Sequence, residues 1–268
     1  MAAKTRRAMI EQRVLAEGEI DFATLAEEFK VSEMTIRRDV EALEASGLVR
    51  RVVGGAILSS GKAAEPSFET RAAEAAEGKM HIAEAAVELL RPRETVILDS
   101  GSSVLAVAKA IKGRGLGLTV VTPSILVAVE LADEPDTVVL LAGGRVRPGE
   151  LSLIGSETEE IFTRYNCDTY VMGIAGVDPA RGVSEYHREE GSVKRAAVKA
   201  ADRVIVVADE TKLGRVQLVS VSPLSSVTAI VTDGPADHPT LVGARSLGVE
   251  VVCVPGPHSS ALEQGATA

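Results

Sequence analysis

Apolar residues at helical spacing dominate the first sixty positions. From Glu33 to about Ala45, Ile36, Val40 and Leu43 recur at intervals of four and three, which predicts a helix with one buried stripe. Ser32 stands where a hydroxyl can cap the first free backbone donors, and Gly47 where a left-handed residue ends the helix at least cost. DFATLAEEF predicts a second short helix through Phe22, Leu25, Ala26 and Phe29, with only Lys30 and Val31 before the Ser32 cap. A first helix from about Lys4 to Ala16 turns Ile10 and Val14 inward, and LVRRVVGGAIL reads as a β-ribbon. Three helices plus a ribbon make a winged helix-turn-helix, expected over residues 1–58.

Off the apolar stripe lie two adjacent arginines, Arg37 and Arg38, on the helix that such a motif inserts in the major groove. Its N-terminal residues Glu33, Met34 and Thr35, with Arg38, are the candidates for reading base edges, behind the cap Ser32. Arg37, Arg50 and Arg51 are the candidates for phosphate contact. The same arginines also fit the solvated face of an ordinary helix.

Past the ribbon the pattern changes. SSGKAAEPSFETRAAEAAEG is small, polar and charged, and a linker is expected over 59–77, with Pro66 interrupting any continuous helix. Then come seven valine-rich runs, TVILD, LTVVT, TVVLLA, DTYVMGI, RVIVVAD, TAIVTD and VEVVCV. Helical patterns such as HIAEAAVELL, SVLAVAKAI and SVKRAAVKAA lie between them. That alternation predicts an α/β domain over 78–256 with a mostly parallel sheet covered on both faces. Residues 257–268 read as a loose polar tail.

Ligands of such sheets bind beyond the carboxyl ends of the strands. The first loop there, Asp99-Ser100-Gly101-Ser102-Ser103, joins a strand to a helix start, which suits a phosphate or a plain capped turn. Thr122 and Ser124, Gly143-Gly144-Arg145, Gly173 to Val177, and Lys212 occupy the loops after four further strands.

Together these motifs resemble the DeoR family of bacterial repressors. The first domain carries Val31, Ser32, Thr35, Ile36, Arg37, Arg38, Asp39, Leu43, Glu44, Gly47, Val49, Arg51, Gly54, Gly55 and Ala56 of the family pattern, with Val40 where leucine is usual. The second carries D-S-G-S at Asp99, T-x-S at Thr122, L-x-G-G at Leu141, and G-x-x-G-V from Gly173 through Gly176. It adds Lys194-Arg195, A-D-x-x-K-x-G at Ala208, and Thr232-Asp233, with Ser103 where threonine is usual. The resemblance covers nearly the whole chain to about Pro255. It implies a sensor similar in fold to ribose-5-phosphate isomerase and the coenzyme A transferases, and a repressor of sugar-metabolism genes gated by a phosphorylated sugar. It further implies that Ser100, Gly101, Ser102 and Ser103 hold the phosphate with Lys212, while Asp99, Arg145 and the Gly173 loop lie near the sugar.

Charge refines the picture. The net charge is −9, yet Met1 to Ser60 hold nine Lys or Arg against ten Asp or Glu, so the DNA-binding half is near neutral. Phosphate neutralisation supplies most non-specific affinity, so one copy should bind weakly, and a homo-oligomer on repeated half-sites of double-stranded DNA is expected. Cys167 and Cys253 have no metal or disulfide spacing and are expected to be buried thiols. No metal or cofactor is expected, and neither a leader nor an apolar run of membrane length is seen, so a cytoplasmic location is expected. A sugar-phosphate isomerase or deaminase would need a base from Asp168, Asp178, Glu185 or His187. Against it, Pro179-Ala180 replaces the deaminases' Gly-His pair. Dinucleotide binding fails too, because the glycines of Gly113 to Gly117 precede a strand rather than follow one.

Overall fold

The computed structural model describes residues 2–45, 47–59 and 65–256, which form two compact units, one up to Glu74 and one from Ala75. The expected tail at 257–268 and part of the expected linker, 60–64, lie outside the described residues.

The first unit runs α1 (Ala3–Glu17), β1 (Glu19–Asp21), α2 (Phe22–Phe29), α3 (Glu33–Ala45), β2 (Val49–Val52), β3 (Gly55–Leu58) and α4 (Phe68–Ala73). The three expected helices form, and their inward residues Ile10, Val14, Phe22, Leu25, Ile36, Val40 and Leu43 make one buried core with Leu48, Val49 and Ala56. Truncating a residue such as Ile36 to Ala should cost about 2 to 5 kcal/mol. Ser32 Oγ lies 3.3 Å from the Thr35 amide that donates to it. Lys30 ends α2 in the left-handed region at φ 53, and Gly47 follows α3 at φ 80.

The ribbon is β2 antiparallel to β3, with Val52 paired to Gly55. β1 was not foreseen: three residues between helices pair with the other side of β3, giving the order β1-β3-β2. Gly55 is required there, because a Cβ would stand 2.1 Å from the Ile20 carbonyl oxygen. α4 forms within the stretch read as linker. Ser67 Oγ caps it, and the Ser67 amide donates to buried Glu11 of α1 at 2.5 Å. A six-residue helix is too short for periodicity to reveal.

The second unit runs α5 (Ala76–Glu88), β4 (Thr95–Leu98), α6 (Ser102–Ile111), β5 (Thr119–Thr122), α7 (Ile125–Leu131), β6 (Val138–Leu141), β7 (Arg145–Arg147), β8 (Ser152–Ile154) and α8 (Ser156–Phe162). It continues with β9 (Cys167–Gly173), β10 (Gly176–Asp178), β11 (Gly182–Glu185), α9 (Arg188–Lys199), β12 (Ala201–Val207), β13 (Val219–Ser222), β14 (Ala229–Thr232), α10 (Pro239–Ser246) and β15 (Glu250–Cys253).

The seven valine-rich runs become one seven-stranded sheet in the order β15-β14-β12-β9-β4-β5-β6, every pair parallel. α5, α6 and α7 cover one face through Ile82, Val104, Val107 and Val127, while α8, α9 and α10 cover the other through Phe162, Val193, Ala197 and Leu241. From β4 the chain winds outward to β5 and β6, and from β9 it winds the opposite way. The crevice at the carboxyl ends of β4 and β9 is therefore the topological switch point, where such sheets hold ligands.

Five short strands went unforeseen: the hairpin β7-β8 and the antiparallel sheet β10-β11-β13. They are three or four residues long, and glycine, serine and charge conceal any alternation. One cysteine expectation is also corrected. Cys167 is buried, and burial raises its thiol pKa to about 11, but Cys253 is exposed because it ends the edge strand β15.

Candidate functional site

In the first unit, α3 turns Glu33, Met34 and Arg38 to solvent, with Thr35 and Arg37 half-exposed. The arginines then diverge. Arg38 and Arg50 make no ion pair or hydrogen bond among the described residues, so both guanidinium groups are free to meet a ligand. Arg37 stacks over the Phe22 ring at 4.9 Å from its centroid and reaches Glu33 at 3.4 Å. Arg51 is bound to α3 itself, to Glu41 at 2.8 Å and Glu44 at 2.6 Å, and its amide donates to Glu44 at 3.0 Å. Those bonds hold the Glu44 carboxyl below its usual range. Arg51 thus clamps the ribbon to the helix, and Arg37 is committed within its own turn. Sequence spacing cannot show this, because both look like free cations until their partners are placed.

Asp39, the third residue of the R-R-D motif, turns inward. Only 6% exposed, it accepts from Arg6 of α1 at 2.5 Å and lies 3.6 Å from Arg7. That pair fixes the orientation of the recognition helix against α1. A motif aspartate on a DNA-facing helix was the signal available for it.

In the second unit, the Asp99 loop sits at the switch point. Gly101 precedes α6 with φ 105 and ψ 165, a conformation open only to glycine, and no side chain caps the helix. The first α6 bond outside the helix runs from Leu105 N to Gly101 O, so the amides of Ser102, Ser103 and Val104 have no acceptor among the described residues. The hydroxyls of Ser100, Ser102 and Ser103 are likewise unengaged there, and all three residues are half-buried. Bare amides at a positive dipole end, ringed by hydroxyls, suit an anion.

Other candidates are already engaged. Ser124 Oγ caps α7 by accepting from Val127, and Thr122 Oγ1 accepts from Ser124 N, with both side chains buried. Both bonds close the loop between β5 and α7 on itself. Gly144 is required for packing, since a Cβ would stand 2.1 Å from Thr158 Oγ1, whereas Gly143 borders open space. Gly176 packs too, with the Arg215 carbonyl oxygen 2.4 Å from where its Cβ would be. Arg145 is held bidentately by Glu189 at 2.6 and 2.8 Å. Lys212 lies in a single 3-10 turn after β12 and makes no side-chain bond among the described residues.

Asp99 joins the loops directly. It accepts from the Gly173 amide at 3.1 Å and from Lys194 Nζ, which also donates to the Gly173 carbonyl at 2.8 Å and lies 3.4 Å from Glu185. One turn earlier on α9, Glu190 accepts from Ser152 at 2.6 Å and pairs with Arg147 at 2.9 Å. Burial raises the Asp99 pKa against the pull of Lys194, while three carboxylates outweigh burial at Lys194 and keep its ammonium charged. This network holds the loop after β4, the loop after β9 and α9 together. Lys194 carried a motif signal and Glu190 none, since it is separated in sequence from every partner except its own helix.

The bases an enzyme would need are dispersed. Asp168 accepts from Thr95 N at the opposite end of β9, and Asp178 closes its own turn by accepting from Ala180 and Arg181. Glu185 is bound to Lys194, and His187 begins α9.

Known proteins agree with these two halves. Residues 6–62 match the DeoR-like helix-turn-helix domain and residues 74–234 the DeoR C terminal sensor domain. The chain is 32% identical to the glycerol-3-phosphate regulon repressor of Escherichia coli K12, across 83% of this chain and 87% of that one. It is also 32% identical to the HTH-type transcriptional regulator GlpR of Haloferax volcanii, across 94% and 98%. A solved ribose 5-phosphate isomerase from Methanocaldococcus jannaschii is similar at 16% identity and a TM-score of 0.35, covering 50% of this chain and 53% of that one. Among the described residues no helix is long and apolar enough to cross a membrane. With a helix-turn-helix in front and a sensor domain behind, this chain belongs to the DeoR family of DNA-binding transcriptional regulators.

Proposed function

We propose that the chain represses sugar-metabolism genes from the cytoplasm, binding operator DNA as a homo-oligomer and responding to a phosphorylated sugar bound at the β4-β9 crevice. The observation that carries this reading is the bare start of α6, where three amides and three hydroxyls converge on the switch point behind a glycine that no other residue can replace without strain. Ser100, Gly101, Ser102 and Ser103 take the phosphate, Lys212 supplies countercharge, and Arg145 and the Gly173 loop border the sugar. On the DNA side, Arg38 and the first turn of α3 read bases, and Arg50 meets phosphate.

Binding rather than turnover is the role of this site. A sugar-phosphate isomerisation needs a base within hydrogen-bond reach of a sugar carbon, and the carboxylates nearest the crevice are engaged by Lys194 and Arg147. The ligand acts by its differential affinity for two arrangements of the oligomer. Reciprocity then requires operator DNA to change ligand affinity by the factor by which ligand changes operator affinity. Titrating labelled DNA from upstream of the chain's own gene, with and without sugar phosphates at fixed salt, tests both halves. Saturable binding that one ester changes supports the reading, and specific binding that no ester changes removes the sensor half.

A further inference from the structure

Tyr170, on β9, is the largest fully buried side chain among the described residues, at 1% exposure, and its hydroxyl has no hydrogen-bond partner among them. Native structures rarely leave such a group unpaired, because an orphaned buried hydroxyl costs about 1 to 3 kcal/mol. Burial first, then the adjacent Asp99 carboxylate, with Glu185 and Glu190 adding less, raise its pKa well above the usual phenol range. Tyr170 is therefore a proton donor at every physiological pH, beside carboxylates that also bond Lys194 and Arg147.

We infer that the Tyr170 hydroxyl and the Asp99, Glu185 and Glu190 carboxylates form a specificity subsite for a hydroxyl group of the phosphorylated ligand. The chemistry selects the class. A ligand hydroxyl can accept from the phenol and donate to a carboxylate at once. An ammonium cannot accept from Tyr170, and a ligand carboxylate meets three like charges. Location supports the assignment, since Asp99 belongs to the loop that leads into the anion-binding start of α6 and bonds directly to the Gly173 loop. The inference rests on the proposed sugar-phosphate reading, extending it from the phosphate to the hydroxylated part.

Tyr170→Phe tests it with little risk to the fold, because the substitution removes only an unpaired hydroxyl. The full-length protein is titrated by calorimetry with methyl phosphate, 3-phosphoglycerate and a set of aldose and ketose 6-phosphates, and its melting is followed with and without each. The variant should melt higher than wild type without ligand, since the orphan is gone. Its affinity for the best sugar phosphate should fall about tenfold, the scale of one hydrogen bond, with methyl phosphate affinity changed much less. Equal losses for both esters, or none, would overturn the subsite, as would 3-phosphoglycerate binding more tightly than every sugar phosphate. If no ester binds even the wild type, the failure lies with the sugar-phosphate reading, and the subsite falls with it.

Discussion

The two domains use a motif aspartate in the same way and expose opposite kinds of chemistry. Asp39 turns inward to Arg6, thirty-three residues away, and Asp99 to Lys194, ninety-five residues away. Each buried carboxylate fixes an element whose outer side we propose to meet a partner. What is then offered differs. The winged domain presents long side chains, Arg38 above all, that reach a charged polymer, while the sensor presents backbone amides and short hydroxyls at a helix start. A groove reader must reach outward, and the phosphate pocket we propose must let its ligand come close, a contrast that matches one motif rich in arginine and the other in glycine and serine.

Loss of an inward acid should have the greatest consequence. Asp39→Ala leaves Arg6 buried and unpaired and should destabilise the winged domain by about 3 to 5 kcal/mol, read as a separate low-temperature unfolding step in calorimetry. Should that step not move, Asp39 does not anchor α3. Next comes Gly101→Ala, which places a Cβ in a glycine-only conformation at a cost of about 1 to 3 kcal/mol. It should abolish sugar-phosphate protection while operator binding persists. Arg38→Ala should lose about 1 to 3 kcal/mol of discrimination at one base pair, measured as a flattened preference across operator variants.

The smallest effect sharpens the division among the cations. Arg50→Ala should reduce the slope of log affinity against log salt by about 0.9 per DNA-binding domain, as expected for one lost phosphate contact. Arg51→Ala should lower affinity while leaving that slope unchanged, because Arg51 is a clamp. Acid opens the same clamp. Glu44 is held below its usual range, so its contribution is complete above the ordinary carboxylate range near pH 4.5 and is lost as pH falls through its lowered value. Tryptic cleavage at Arg50 and Arg51 should accordingly slow in wild type relative to Glu44→Gln at neutral pH.

How much of this the sequence disclosed depends on the range of each interaction. All seven sheet strands were legible, because strands buried on both faces are continuous valine-rich runs. So was α3, whose stripe, cap and terminating glycine are local signals. The short strands β7, β8, β10, β11 and β13 were not, being three or four residues of mixed polarity. Nor were the partners of Arg37 and Arg51, which come from the fold. The hydroxyls of Ser100, Ser102 and Ser103 after β4 and those of Thr122 and Ser124 after β5 look alike as sequence. Only the structure separates the unengaged three from the pair that holds its own turn. Glu190 and Tyr170 carried no motif signal, since their importance comes from being buried beside Asp99.

Coupling between the α6 crevice and the α3 surface is read directly by operator anisotropy at one salt concentration with the best sugar phosphate present and absent, repeated on Ser102→Asp. The ester should shift wild-type operator affinity, operator should shift ester affinity by the same factor, and Ser102→Asp should bind operator but no longer respond. A Ser102→Asp protein that responds as wild type does, or operator that leaves ester affinity untouched, would contradict that coupling.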